Sequence, residues 1–449
     1  MRIGIVPNLN RSAGGIYQYA LTLLNALYES KDKACADEFI VFANEVSDSI
    51  STSLNGPDWK WVPGQPPSFR RNALEFVHRI AGEGKHREAW RWLKRHLQQD
   101  PTQSEALLPI LPNPDVVESQ PVMCDWFQQW AVDLMLYPAP NRLSFETGLP
   151  YVMAIHDLQH RLQPEFPEVS ANGEWERREY YYRNGARYAT LLLADSEVGK
   201  EDIVNVYGEY GVTPDRVKVL PFLPAWYLAD DVSESERRRV RMVYDLPERY
   251  LFYPAQFWPH KNHSRIVQAL GLLKQEHRLR IPVVLCGSNA GGIREQTFHE
   301  TMSLSCQLGI GKDIHYFGYV PDEDMSAMYA EAEALVMPTF FGPTNIPILE
   351  AWAFGCPVLT SDIRGIREQV SDAAILVDPR SVDAIADGIY QLWIDESLTR
   401  RLADLGRRRL ASYTADDYRQ RLLAILGEAK TRVHSQGVEN HERTRRWTS

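Results

Sequence analysis

Short apolar runs separated by amphipathic segments recur along almost the whole chain, and this alternation limits the fold more than any other feature of the sequence. Runs of strand length fall at residues 3–7, 39–42, 134–137, 151–156, 191–194 and 217–220 in the first half. In the second half they fall at 250–254, 282–286, 314–317, 334–337, 357–359 and 374–377. Helical patterns lie between most of them, for example at 17–28, 263–273 and 322–332. Strand–helix alternation of this kind predicts an α/β fold of parallel sheets covered on both faces. Twelve strands are too many for one ordinary sheet, so two doubly wound, Rossmann-like domains are expected.

A length of 449 residues and a hydrophobic content of 44% suit two cores of that size. The joint is expected at residues 221–247, which hold three prolines and a charged run, giving a first domain over 1–230 and a second over 245–412. Residues 64–120 show no clear strand and read as a helical insertion in the first domain. The polar stretch 434–449 lacks periodicity and reads as a disordered tail.

The net charge of −10 argues against nucleic acid as a partner, because such binding needs excess cations to displace counterions. Five scattered cysteines offer neither a disulfide framework nor a structural zinc site. The chain opens on a strand-like run rather than a signal peptide, and no uncharged apolar stretch is long enough to span a bilayer, so a soluble cytoplasmic protein is expected.

The most informative segment is Phe340-Phe341-Gly342-Pro343-Thr344-Asn345-Ile346-Pro347-Ile348-Leu349-Glu350-Ala351, which follows the apolar run at 334–337. Pro347 suits a first helical turn and Gly355 suits the helix end. The amides of Thr344, Asn345 and Ile346 are then expected to point into a cleft from a helix N-terminus, where a diphosphate is held without side-chain charge. Glu350, one turn in, can accept two hydrogen bonds from a ribose diol.

This segment resembles the signature of family-4 retaining glycosyltransferases, whose usual form is Glu-Gly-Phe-Gly-Leu-Pro-x-Leu-Glu-Ala. The resemblance implies the GT-B fold, with two Rossmann-like domains facing a central cleft and a last helix, here 413–430, crossing back to the first domain. It implies a nucleotide-sugar donor in the second domain and a saccharide or lipid-linked acceptor in the first. Glu350 matches the glutamate that binds the donor ribose. Gly342 stands where the family has its first glutamate, so the usual contact with the donor sugar is missing.

A second loop carries the same resemblance. Phe257-Trp258-Pro259-His260-Lys261 follows the run at 250–254, where the family reads Gly-Arg-Leu-x-x-x-Lys and uses Arg and Lys to clamp two phosphates. Lys261 matches the lysine, and Gln256 replaces the arginine. A positioned ammonium stabilises the charge that develops on a departing diphosphate, so Lys261 is a candidate catalytic group as well as a donor ligand. His260 or His263 would add charge if protonated. No Asp-x-Asp pair stands at a strand end, so neither a metal nor any other cofactor is expected.

In the first half, Gly14 and Gly15 sit at a strand-to-helix turn, either as a plain turn or as a close backbone approach to a ligand, and the resemblance places this loop facing the donor phosphate and acceptor. They do not form a Gly-x-Gly-x-x-Gly, which disfavours a dehydrogenase. His156 and Asp157 end the fourth of these runs, where such sheets bind ligands. The resemblance places His156 beside the donor hexose as a candidate catalytic residue, while Asp157 faces the acceptor, orients His156 or caps the next turn. Ser196 reads as a helix N-cap, and Lys200 is a candidate acceptor contact.

Residues 70–96 hold eight Arg or Lys against three Glu, a local charge of about +5. A basic amphipathic helix over about 69–98 suits either an anionic membrane surface or a solvated face packed on its own domain. The resulting expectation is a retaining hexosyltransferase using GDP-mannose or a UDP-sugar in surface polysaccharide or glycolipid synthesis. The losses at 342 and 256 leave a non-catalytic sugar-nucleotide-binding subunit as the alternative.

Overall fold

A computed structural model of the protein describes residues 1–30, 37–44, 48–66, 114–225, 228 and 231–447. Most of the segment expected to be an insertion, including its basic stretch 69–98, lies outside the described residues. The first sheet contains β1 (Arg2–Ile5), β2 (Glu38–Phe42), β3 (Trp59–Val62), β4 (Leu134–Tyr137), β5 (Tyr151–Ala154), β6 (Leu191–Ala194) and β7 (Val217–Val219). Their order is β3-β2-β1-β4-β5-β6-β7. The second sheet contains β8 (Leu251–Pro254), β9 (Val283–Cys286), β10 (Ile314–Tyr316), β11 (Ala334–Met337), β12 (Val358–Ser361) and β13 (Ile375–Val377), in the order β10-β9-β8-β11-β12-β13. Every pairing is parallel.

Parallel strands covered on both faces need apolar side chains in both directions. In the first sheet Ile3, Ile5, Leu134 and Leu136 face one buried cluster, while Met135, Tyr137 and Met153 face another. The same strands thus serve two cores by their two-residue alternation. Each fully buried aliphatic side chain contributes roughly 1.5–3 kcal/mol. Tyr418, Leu422, Ile425, Leu426 and Ala429 belong to the first of these clusters. They lie on the helix Ala415–Trp447, which packs on the helix Gly15–Glu29 although it follows the whole second sheet in sequence.

Three features differ from the sequence reading. Strand β3 is an additional edge strand of four residues, with only Trp59 and Val62 buried. The charged run at the joint forms the helix Glu234–Tyr244, capped by Ser233 and Glu236, and its Val240 joins the second core. Packing of the second half therefore starts near Val232, not at residue 245. Residues 434–447 continue the last helix instead of forming a disordered tail. Once a docked helix has nucleated, each added residue costs little, and no proline stops this one.

In both sheets strand order reverses beside the first strand, between β1 and β4 and between β8 and β11. Ligands bind outside the carboxyl ends of strands at such switch points. Here both points open onto one cavity of about 1790 Å³. Across the domains, the Glu368 carboxylate accepts from the amides of Glu197 and Val198 at 2.9 and 3.0 Å. Arg364 pairs with Glu201 and Asp202 at 2.7 and 3.0 Å. A carboxylate at a helix N-terminus is a favourable anchor, and it fixes how the two cavity walls face each other.

Candidate functional site

The floor of the cavity is built where the loops after β8 and β11 are tied together. The His260 carbonyl accepts from the Phe340 amide at 2.8 Å and the Thr339 hydroxyl at 3.1 Å. Buried Asn262 donates to the carbonyls of Pro338 and Pro379, both at 2.8 Å. These bonds fix Lys261 beside the segment that leads into the helix Ile346–Ala353. Pro347 lies in the first turn of that helix, and Gly355 takes a left-handed φ of 67° just past its end.

Lys261 lines the cavity, and among the described residues its ammonium makes no ion pair. Burial lowers its pKa to about 8, against an opposing pull from Asp157 and Glu168. A lysine held this way gains from any anion that enters. Glu350 is 4% exposed and accepts from the Tyr329 hydroxyl at 2.6 Å, so its carboxylate is oriented before a ligand arrives. The buried Thr344 hydroxyl oxygen and the Asn345 side-chain nitrogen have no protein partner and lie in the cavity wall.

Gly342 has a φ of 127°, a conformation that favours glycine. A Cβ there would lie 2.7 Å from the Asn345 side-chain nitrogen. A glutamate at position 342 would therefore be strained at this φ and would have to displace the Asn345 amide from the adjoining space.

The opposite wall comes from the first domain. Gly14, with a φ of 57°, caps the helix Gly15–Glu29 and approaches Gln256 so closely that a Cβ would lie 3.4 Å from its side-chain nitrogen. His156 Nε2 lies 2.7 Å from the Pro138 carbonyl, which can only accept, so Nε2 carries a proton. His156 Nδ1 lies 3.2 Å from both Asp195 oxygens. Burial opposes protonation of His156, but the Asp195 carboxylate outweighs it and the pKa rises. Asp157 pairs with Arg178 at 3.4 Å, and Arg178 also binds Glu174 at 3.0 Å. Glu168 reaches across the cleft to His260 Nδ1 at 2.6 Å.

The family described as Glycosyl transferases group 1 matches residues 236–409. The O-antigen chain mannosyltransferase B of Escherichia coli is 30% identical over 255 residues, which cover 54% of this chain and 64% of that protein. The chain thus spans slightly less than two thirds of that relative's length. The MMP alpha-(1->4)-mannosyltransferase of Mycolicibacterium hassiacum is 26% identical over 298 residues, covering 64% of this chain and 67% of its own. The crystal structure of Anabaena Alr3699/HepE in complex with UDP and glucose superposes with a TM-score of 0.65 at 17% identity, over 95% of this chain and 99% of that one. The fold is GT-B.

Within this GT-B cleft the structure brings together Gly14, Gly15, His156, Asp157, Gln256, Lys261, Gly342, Thr344, Asn345, Ile346 and Glu350. Four expectations change. Lys200 does not line the cavity; it lies at the start of the helix Glu197–Tyr207, whose first amides are taken by Glu368 and Ser196. The Asn345 amide is not free; it donates to Gln369 Oε1 at 2.9 Å, and Gln369 returns a bond to the Asn345 carbonyl. His156 uses both ring nitrogens inside its own domain, on the Pro138 carbonyl and the Asp195 carboxylate, so its ring is committed before any ligand enters. Burial works against added charge at His260 and His263: it lowers the pKa of both, that of His263 to about 3, with Glu168 opposing the shift at His260.

Several lining residues escaped the sequence reading. Glu168, Glu174, Arg177 and Arg178 come from a turn and a helix start at 167–178 that showed only as a charged cluster. Arg294 comes from the helix after β9, and the glycine-rich stretch Gly287-Ser288-Asn289-Ala290-Gly291-Gly292 was the available signal.

Proposed function

We propose that the chain is a glycosyltransferase that moves a hexose from a nucleotide-sugar donor to a saccharide or lipid-linked acceptor, in polysaccharide or glycolipid synthesis. The observation that carries this reading is the pairing of Lys261 with the start of the helix Ile346–Ala353 on one cavity floor, with Glu350 one turn behind. A nucleoside diphosphate needs positive charge and amides at its phosphates and a hydroxyl acceptor at its ribose. GDP-mannose and UDP-hexoses are the candidate donors, in keeping with the mannosyltransferase names of two relatives and the UDP in the HepE complex.

Retention of anomeric configuration follows from a front-face displacement. The bond from the anomeric carbon to the diphosphate breaks, the bond to the acceptor oxygen forms on the same face, and the acceptor proton passes to a diphosphate oxygen. The state of five of the seven carboxylates among the cavity's lining residues, all but Glu176 and Asp322, supports this route. Asp157, Glu168, Glu174, Asp195 and Glu350 are each tied to Arg178, His260, Tyr329 or His156 rather than presented as nucleophiles. Lys261 and the helix start stabilise the leaving diphosphate, so no divalent cation is needed.

The test is a thermal-shift panel of nucleoside diphosphates and nucleotide sugars in the presence of EDTA. A ligand at 100 times its Kd stabilises the folded protein by about 2.7 kcal/mol. At least one GDP or UDP compound is expected to raise the melting temperature by several degrees. A flat panel would exclude the reading. The losses at Gly342 and Gln256 favour a binding subunit as second reading, which predicts the same shifts without transfer.

A further inference from the structure

Arg294 lies in the first turn of the helix Gly292–Gln307, directly after the glycine-rich loop that ends β9. Strands β8 and β9 are neighbours, so the loops that follow them leave the sheet side by side. Gly287 brings those loops into backbone contact: its φ is 128°, and a Cβ would lie 2.6 Å from the Ala255 carbonyl. This close approach delivers Arg294 to the residue that replaces the family's arginine. Arg294 Nη1 donates to Gln256 Oε1 at 2.9 Å. Trp258 Nε1 donates to the same oxygen at 3.0 Å, and its ring lies 4.7 Å from the guanidinium carbon.

A guanidinium needs more than this arrangement gives it. It offers five N–H donors, and the amide oxygen it meets is neutral. Arg294 Nε is buried without a partner. Among the described residues Arg294 forms no ion pair, and burial alone moves its pKa, downward. Two other arginines of the cavity wall, Arg177 and Arg178, both bind Glu174. A half-buried guanidinium stacked on an indole, in the same cavity as an ammonium that makes no ion pair among the described residues, is a site prepared for a multivalent anion.

We propose that Arg294 is the second cation of the donor-diphosphate site, reaching from the neighbouring loop to the place vacated at position 256, with Gln256 and Trp258 holding its guanidinium in register. The proposal rests on the function inferred above. Gln256 becomes a positioning residue, not an empty position. Arginine suits the task because its planar fork binds phosphate oxygens in pairs.

The test is calorimetric titration of the full chain with GDP and UDP, and with guanosine and uridine, for wild type, Arg294→Ala, and Arg294→Ala combined with Gln256→Arg. Arg294→Ala is expected to weaken the preferred diphosphate about ten- to a hundredfold, the range for lost hydrogen bonds to a charged group, and to leave the nucleoside unchanged. Gln256→Arg in that background is expected to recover most of the loss, which a purely structural role would not allow. Unchanged diphosphate affinity, or equal losses for diphosphate and nucleoside, would overturn the assignment. If wild type binds neither diphosphate, the functional reading itself fails and the assignment falls with it.

Discussion

Replacing Lys261 with Met should raise the melting temperature of the free protein while lowering transfer by about a hundredfold or more. Both effects come from the same desolvation. Burial holds the ammonium at about 8 instead of its ordinary 10.5, so the folded state bears a cost that the unfolded chain does not. Removing the charge and keeping the stem should return on the order of 1 kcal/mol, or roughly 2–4 °C for domains of this size. In the loaded cleft the ammonium faces charge that grows as the diphosphate departs. Loss of one such preorganised group typically costs 10²–10³ in rate.

The pH dependence of this residue has a definite sign. Between pH 8 and 10.5 the unfolded chain holds the Lys261 proton and the folded chain has lost it, so this group's contribution to stability rises with pH across that window. Below pH 8 both states are protonated and the contribution is flat. Diphosphate affinity should move the other way, falling above pH 8 as the free protein loses the charge that the ligand needs. Melting curves and titrations at pH 7 and 9, with the Lys261→Met variant as control, measure both slopes. A variant that melts lower than wild type, or transfers at the wild-type rate, would contradict this account.

Glu350→Ala should weaken nucleotide binding by about ten- to a hundredfold and also destabilise the fold. The carboxylate accepts from Tyr329 in a buried site, so its removal takes a buried hydrogen bond from the fold at a cost of about 1–3 kcal/mol. The binding loss has a separate origin, the two ribose hydroxyls left without an acceptor. Tyr329→Phe separates the two effects: it keeps the carboxylate, removes the hydroxyl that orients it, and should lose far less affinity. Titration with the preferred diphosphate and with its 2′-deoxy form checks the assignment. Wild type should prefer the ribose form, and the Glu350→Ala variant should not distinguish them.

Much of this was legible in the chain because the relevant signals are local. Apolar runs of strand length marked twelve of the thirteen strands among the described residues, and Pro347, Glu350 and Gly355 marked the helix Ile346–Ala353 on the cavity floor. Strand β3 was missed because Trp59–Val62 is a short edge strand with Lys60 exposed, and its pattern is too brief to stand out from the turn before it. The course of residues 434–447 was missed because that stretch of sequence carries no apolar stripe of helical period.

At the site, the errors share one cause. Spacing within a motif reports which groups are offered but not which are already taken. The Asn345 amide is consumed by Gln369, 24 residues away, and the His156 ring by Asp195, 39 residues away. Arg294 was invisible for the converse reason. A motif read at fixed offsets from Lys261 cannot register a cation 33 positions later that the sheet returns to the same loop.

The central claim is transfer itself, so the most direct measurement is release of nucleoside diphosphate from GDP-mannose and from UDP-hexoses by the purified chain, with and without a saccharide acceptor, with the product's anomeric configuration read by NMR. The account predicts that one donor is turned over, faster when acceptor is present, and that the new linkage keeps the donor's configuration. Binding of a donor without release or transfer across the acceptors tried would contradict it and leave the binding-subunit reading, and an inverted linkage would refute the front-face displacement.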